Sequence, residues 1–375
     1  MSLLDSQTSM YLHSEIKVRL LKLYLERYLN VLNGSQFVGD IYLYDLFCSE
    51  GIYSNGGKGS PIIFLETVRE IHFGNVAKNR NSGLFHCHFN DLDSLKVDKL
   101  ESIVAEKKLY YPQMGKLTFS KKDYRSLIPE ISQQIQKFHN QKAFIFIDPY
   151  GYKDIRISDI KVLLQSKKSE VLLFLPTQFM FRFESKGTPE SLKEFISELV
   201  PESEWPKSST GIDFIENLKS KFREKVGDDF FVDSFIITRD KNQFFCLFFF
   251  TSHIYGFDRM LDAKWEIDEE EGRGWKFPVA GDLFSEVEKS PNTLLLERAL
   301  TTFLQNTFRT NGEIYEFVLH NGFLPRHATN ILEKLQNDGK LEVKTKTGEK
   351  PRKNAYYLNY RKWKEEKSKI FLKIK

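Results

Sequence analysis

The stretch FIFIDPYG, residues Phe144–Gly151, decides how the rest of the chain is read. Four apolar residues, Phe144 to Ile147, run into Asp148, Pro149, Tyr150 and Gly151. A continuous apolar run closed by Pro and Gly predicts a strand buried on both faces. A carboxylate at the C-terminal end of such a strand stands where open α/β sheets bind their ligands. Read alone, Asp-Pro-x-Gly is also ordinary turn chemistry, so the flanking segments must decide.

Upstream, Ile41–Phe47 (IYLYDLF) reads as a strand carrying Asp45 near its end. It enters CSEGIYSNGGKGSP, residues 48–61, a Gly- and Ser-rich loop closed by Ser60 as N-cap and Pro61 as first helical residue. Strand, glycine loop and helix make the layout of a nucleotide-binding unit, though neither a dinucleotide G-x-G-x-x-G nor a Walker A sequence is present. Residues 11–33 before it predict a helix with Val18, Leu21, Leu25, Tyr28 and Leu32 on one face, stopped at Asn33-Gly34. The alternation then repeats. Strands are expected at Leu84–Asn90, Lys116–Phe119, Ala143–Ile147 and Glu170–Pro176, with helices at Ser94–Lys108, Leu127–Phe138 and Ile157–Gln165. Alternating strands and helices imply a parallel sheet with right-handed crossovers. Four of these strands lead into Asp45, Asp91, Asp123 and Asp148, so the carboxylates converge on one sheet edge, where a ligand site is expected.

Further along, helices are expected at Ser191–Leu199 and Ile212–Val226, then a hairpin of Phe230–Thr238 and Gln243–Thr251 around Arg239–Asn242. The sheet is therefore mixed, with seven strands. A helix at Gly256–Trp265 precedes the acidic run Glu266–Glu271, read as a solvated face. Residues 1–280 form the first domain and polar residues 281–292 a linker. Residues 293–375 predict three helices (Thr293–Phe308, Glu313–His320, Pro325–Asn337) and two strands, Leu341–Lys346 and Ala355–Leu358, around GEKPRKN. That is a winged helix-turn-helix, whose third helix would offer Arg326, His327, Thr329 and Asn330 to a groove, with Lys350, Arg352 and Lys353 on the wing.

The net charge of +4 over 375 residues is unevenly placed. Residues 340–375 hold 13 Lys and Arg against 4 Asp and Glu, a surplus of nine, which leaves −5 for residues 1–339. The basic end is where a polyanion, DNA or RNA, would dock. No apolar run is long enough for a membrane span. No signal-peptide pattern opens the chain, and its 3 cysteines lie in hydrophobic runs without Cys-x-x-Cys spacing. A cytoplasmic protein with reduced thiols and no metal site is expected.

Five strands with helices, a terminal hairpin and acidic strand ends make the layout of class I S-adenosylmethionine-dependent methyltransferases. The chain more closely resembles the three-Cys-motif partner (TcmP) family. The resemblance lies in KVRLLKLYLERYL at 17–29, YDLFCSEGIYSNGGKGSP at 44–61, FNDLD at 89–93, FIDPYGY at 146–152, SEVLLFLP at 169–176, FDRMLDAKWEID at 257–268 and the tail at 314–342. The first half is also similar to the ribosomal-RNA adenine-N6 methyltransferase RlmJ. The resemblance implies S-adenosylmethionine as cofactor and a partner carrying a three-cysteine, radical-SAM-like motif. It also implies that Asp45, Phe47 and Gly51 form the first cofactor loop, that Asp91 meets the ribose hydroxyls, that Asp123 flanks the adenine and that Lys17 reaches the cofactor carboxylate. Asp148, Pro149 and Tyr150 would hold a target base by its exocyclic amine. Two positions depart from the pattern. Ser49 replaces a usual Gly, and Asp-Pro-Tyr-Gly replaces the D-P-P-Y of adenine enzymes. Two readings therefore stand: a nucleic-acid methyltransferase, or a catalytically degenerate scaffold of the same fold. A metal-dependent nuclease is the third and weakest reading.

Overall fold

The computed structural model describes residues 10–80, 83–150, 155–177, 194–195, 197–198, 208, 210–240, 243–276, 290–347, 351–365 and 369–375. The chain divides into two compact units, Met1–His253 with Trp275–Phe277 and Ile254–Gly274 with Pro278–Lys375.

The first unit is built on a sheet in the order β3-β2-β1-β4-β5-β7-β6-β8. The strands are β1 (Ile41–Asp45), β2 (Phe85–Asn90), β3 (Leu117–Ser120), β4 (Lys142–Ile147), β5 (Ser169–Leu175), β6 (Phe231–Asp240), β7 (Gln243–Thr251) and β8 (Gly274–Lys276). β1 to β5 pair parallel, and β7 runs antiparallel to both β5 and β6. This is the mixed, Rossmann-like class I methyltransferase sheet expected from the sequence. The short β8, an eighth strand, was not. Helices α1 (Leu12–Asn33), α2 (Ser60–Ala77), α3 (Ser94–Glu106), α4 (Tyr124–Gln136), α5 (Ile157–Leu164) and α6 (Gly211–Val226) complete the described part. The helix expected at Ser191–Leu199 and the turn at 241–242 lie largely outside the described residues.

The central strands are apolar on both faces because helices cover both. Ile145, Ile147, Val171 and Leu173 share a buried cluster with α4, α5 and α6 residues such as Ile131, Ile160 and Phe222. On the opposite face Phe144 packs against Tyr24 and Tyr28 of α1 and Phe64 of α2, at ring distances of 5.6, 5.7 and 6.1 Å. The winding reverses at β1, which lies between β2 and β4. The crevice beyond the C-terminal ends of β1 and β4 is thus the topological switch point where such sheets take ligands.

The second unit holds α7 (Ile254–Ile267), α8 (Leu294–Leu304), α9 (Asn311–His320), α10 (Pro325–Asn337) and α11 (Tyr360–Lys364). Its sheet has the order β10-β11-β9, with β9 Arg309–Thr310, β10 Leu341–Thr345 and β11 Ile370–Ile374. Two sequence expectations change here. Helix α7 belongs to this unit, so the break falls before residue 254, not at 281; residues 281–289 of the expected linker lie outside the described residues. The partner of β10 is β11, not Ala355–Leu358, which is irregular. Asn354 and Tyr357 take φ of 58° and 55°, which breaks an extended run. The buried Asn311 instead accepts from the Lys369 amide at 2.9 Å and so fastens the start of β11, whose Ile370 and Leu372 enter the core.

Candidate active site

Parallel pairing puts the strand-end carboxylates in register. Asp45 lies opposite Phe89 of β2 and Phe146 of β4, so Asp91 and Asp148 follow it within two residues on either side. Asn90, also buried, ties the edge together. Its side-chain amide donates to the carbonyls of Leu46 (3.2 Å) and Lys122 (3.0 Å), and its oxygen accepts from Ser120 Oγ (2.7 Å) and the Lys122 amide (3.0 Å). One side chain at the end of β2 thus satisfies groups at the ends of two other strands, β1 and β3.

Asp45 is fully buried. Oδ1 accepts weakly from the Phe47 amide at 3.4 Å, while Oδ2 has no hydrogen-bond partner at normal geometry. Burial pushes its pKa up to about 7, the nearby Ser60 hydroxyl and Phe47 amide hold it back, and the charges of Asp148 and Asp91 add to the rise. A buried carboxylate oxygen without a donor suits a cationic or hydrogen-bonding ligand group.

Asp91 is buried and already accepts three bonds: from the Ser49 amide (2.9 Å), the Asp93 amide (3.0 Å) and the Tyr150 hydroxyl (3.2 Å). Tyr150 therefore leans onto Asp91. Lys96 of α3 donates to the same hydroxyl at 2.7 Å and lies 4.3 Å from the Tyr150 ring centroid. Burial of the hydroxyl end and the Asp91 charge keep the phenol protonated far above its ordinary range, although the ring is half exposed. Asp148 is taken by Lys17 of α1, in an ion pair. Burial alone would lower the Lys17 pKa, but Asp148, Tyr53 and Asp45 outweigh it, and the net shift is upward. Its Nζ also stands over the Phe174 ring, 4.4 Å from the centroid.

The glycine loop keeps its shape despite Ser49. Ser49 sits at φ 54°, in the left-handed well, and Gly51 at φ 78°. A Cβ on Gly51 would lie 2.5 Å from Leu100 Cδ1. Gly59, not Ser60, is the N-cap of α2. A Cβ there would stand 2.9 Å from the Gly51 carbonyl oxygen, which accepts from the Gly59 amide at 2.7 Å. Ser60 is instead the first helical residue, with its hydroxyl toward Asp45.

The expected residues do not all meet. Lys17, Asp45, Asp91, Asp148 and Tyr150 cluster, and Pro149 is buried beside them. Phe47 stacks on Tyr124 with ring centroids 5.3 Å apart. Asp123 caps α4, accepting from the Arg125 amide at 2.7 Å. Gly151 lies outside the described residues. Lys96 and Asn90 were not singled out from sequence, and Ser60 was read as the cap of the helix behind the loop, not as a partner of Asp45. Lys96 stands near the start of the helix that follows Asp91, which was its only signal.

In the second unit the expected groove face is corrected at His327. It is buried, 4.3 Å from the Trp265 ring and 6.1 Å from Phe323, and burial together with the Arg326 charge lowers its pKa to about 4. Arg326 pairs with Asp262 of α7 at 3.2 Å. Thr329 donates to the Pro325 carbonyl at 3.0 Å, while Asn330, Arg352 and Lys353 are exposed. Lys350 lies outside the described residues. Among the described residues no group of three or more His, Cys, Asp or Glu is placed to hold a metal, and no helix is long and apolar enough to cross a membrane. A groove of about 590 Å³ lined by Lys22, Glu66, Arg69, Phe73 and Tyr111 contains none of the strand-end carboxylates.

Residues 268–348 match the family described as a GMT-like wHTH domain. No curated protein matches the chain. Among solved structures, the methyltransferase domain of bacterial CtHen1 is 12% identical, with 62% of this chain and 98% of that chain covered at a TM-score of 0.32. An O-methyltransferase from Bacillus cereus, in complex with SAH, is 11% identical over 61% of this chain and 80% of its own, with a TM-score of 0.34. TomG, an O-methyltransferase from Streptomyces achromogenes involved in tomaymycin synthesis, in complex with SAM, is 12% identical over 62% and 79% at 0.32. The assignment of the fold rests on strand order and direction, not on these superpositions. The class is a class I methyltransferase fold joined to a winged helix.

Proposed function

We propose that the chain is an S-adenosylmethionine-dependent methyltransferase acting on nucleic acid, with an exocyclic base amine as acceptor. The observation that carries this reading is the gathering of Asp45, Asp91 and Asp148 at the switch point behind a glycine-bearing loop. When bound, the cofactor supplies an electrophilic methyl group on a sulfonium. The residues fit such a ligand. Asp91, after the end of β2, would accept from the ribose hydroxyls. Asp45, raised to about 7 and holding an oxygen without a donor, would regain its charge beside an ammonium group. Gly51 takes a positive φ with Leu100 packed where a side chain would stand, which lets the loop backbone lie close against α3 at this edge. Asp148 and the Pro149 carbonyl are hydrogen-bond acceptors for an amine, and Tyr150 offers a ring to a base. Methyl transfer to an amine demands alignment more than a strong base, so positioning is the main contribution.

Calorimetry with S-adenosylmethionine tests the first step. Binding by the native chain and its loss in Asp91→Ala is expected; no native binding, or equal binding by the variant, defeats the reading. Transfer of a tritiated methyl group to DNA or RNA, lost in Asp148→Ala, tests the second.

The Lys17–Asp148 and Tyr150–Asp91 pairs favour a second reading, because they engage the site's residues with one another. In it the chain is a catalytically silent scaffold that works with a three-cysteine, radical-SAM-like partner. Full biological activity in Asp148→Ala, with the partner still co-purifying, would select it.

A further inference from the structure

A winged helix ordinarily reads nucleic acid with the N-terminal part of its third helix. Here that end of α10 is engaged within its own unit by residues of α7. Trp265 of α7 donates from Nε1 to the Gly322 carbonyl at 3.0 Å and packs on His327, while Asp262 of α7 holds Arg326. Further along α10, Lys334 is paired with Glu297 of α8 at 3.3 Å. The helix cations are thus paired locally and His327 is core, although Arg326 and Asn330 stay exposed.

The three-stranded sheet differs. Alternation sends Leu341, Ile370 and Leu372 inward, where they are buried. The register sets Glu342 opposite Lys373, Lys344 opposite Phe371, and Phe371 opposite Thr310, so these residues share the outer face. Phe308, two residues before Thr310, joins them. Lys344 Nζ lies 3.5 Å and Lys373 Nζ 5.7 Å from its ring centroid. Phe308 and Phe371 are both partly exposed. Among the described residues neither Lys344 nor Lys373 has an ion-pair partner, in contrast to Lys340, Arg361 and Lys362, which pair with Asp338 or Glu365. Glu342 is the one acidic side chain on this face within β10, β11 and β9.

We infer that this outer face is a platform for a single-stranded nucleic acid. Bases stack on Phe308 and Phe371, and phosphates meet Lys344 and Lys373. The inference rests on the nucleic-acid reading above and says which surface of the second unit serves it. Aromatic rings on an open sheet bind bases through faces that a duplex hides, and lysines between them follow the backbone. On the face itself Lys344 and Lys373 stand against Glu342, within a segment, 340–375, that holds nine more basic than acidic residues. Stacking and phosphate pairing do not sense the 2′-hydroxyl, so an RNA strand and a DNA strand share this chemistry.

Fluorescence anisotropy on the full chain tests it, with labelled oligo-rU and oligo-dT of roughly 20 nucleotides and a duplex of the same length. Both single strands are expected to bind more tightly than the duplex. Lys344→Glu with Lys373→Glu should weaken strand binding by about tenfold or more and flatten the salt dependence. Phe308→Leu, which keeps apolar bulk, should weaken it by about tenfold. The matched charge change on α10, Arg326→Glu with Lys334→Glu, should cost less than about threefold. Binding unchanged by the sheet variants, abolition by the helix pair, or a preference for duplex overturns the inference and leaves the nucleic-acid reading standing. If the native chain binds none of the three probes, both fall together.

Discussion

Replacing Tyr150 by Phe isolates one hydroxyl at the centre of the candidate site. That hydroxyl donates to Asp91 Oδ2 at 3.2 Å and is held from the other side by Lys96 at 2.7 Å. If Asp91 is the carboxylate for the ribose hydroxyls, the phenol and the ribose compete for the same oxygen. A hydrogen bond to a charged group is worth about 1.5–3 kcal/mol. At 3.2 Å on a half-exposed ring the lower end applies, and about 1.4 kcal/mol is tenfold in affinity. Tyr150→Phe keeps the ring that would stack on a base, removes the competitor and leaves the Ser49 and Asp93 amides on Asp91. The expected result is S-adenosylmethionine binding about tenfold tighter than in the native chain, read by calorimetry, with Asp91→Ala as the non-binding control. Unchanged or weaker binding by Tyr150→Phe, alongside the expected loss in Asp91→Ala, would refute the competition. The hydroxyl would then be part of the bound state, not an obstacle to it.

Two further outcomes follow from the geometry. Glu170 of β5 is buried beneath Tyr24 and Thr251, and burial raises its pKa from 4.5 to about 7 despite hydrogen bonds from both hydroxyls and the Lys142 charge. The folded state therefore holds a proton that the unfolded state releases between pH 4.5 and about 7, so this group costs stability as pH rises through that window. Glu170→Gln removes the effect. Its stability relative to the native chain should improve by on the order of 3 kcal/mol between pH 4.5 and pH 8 in denaturant titrations, and a pH-independent difference would contradict the assignment. Gly51→Ala puts a Cβ at φ 78° and 2.5 Å from the buried Leu100. It should cost about 1–2 kcal/mol in stability from the backbone alone and weaken cofactor binding, whereas native-like unfolding and affinity would show that the loop tolerates a side chain.

Much of the frame is legible from single residues and their spacing. Apolar runs such as Phe144–Ile147 and Val171–Leu175 can satisfy their backbones and bury both faces only as inner strands under helices, and the 3.6-residue pattern of 11–33 and 325–337 can bury only one helical face. Local sterics and turn chemistry set these choices, so strand ends at Asp45, Asp91 and Asp148 could be placed before any fold was known. Parallel pairing then puts them on one edge by geometry alone.

What the neighbours of those ends do was decided by the tertiary structure. Lys17 and Asp148 are 131 residues apart, and Tyr150 and Asp91 are 59 apart. No local pattern records that the proposed cofactor lysine would pair with the proposed base-holding carboxylate, or that the tyrosine would lie on the ribose carboxylate. The same holds for β11. Residues 370–374 and 355–358 both contain apolar residues suited to a strand; the ladder with β10 and β9 takes the former, and the buried Asn311 fastens its start. His327 follows the apolar-face logic in reverse. Its position at the start of a basic helix suggested a groove, but α7 brings Trp265 against it and makes it core. Periodicity determines which face of an element is apolar. The element that comes to cover that face is fixed by packing between segments far apart in the chain. FIFIDPYG could therefore be read as a ligand-edge strand from its own residues, while the partners of Asp148 and Tyr150 emerged only when the helices closed over the sheet.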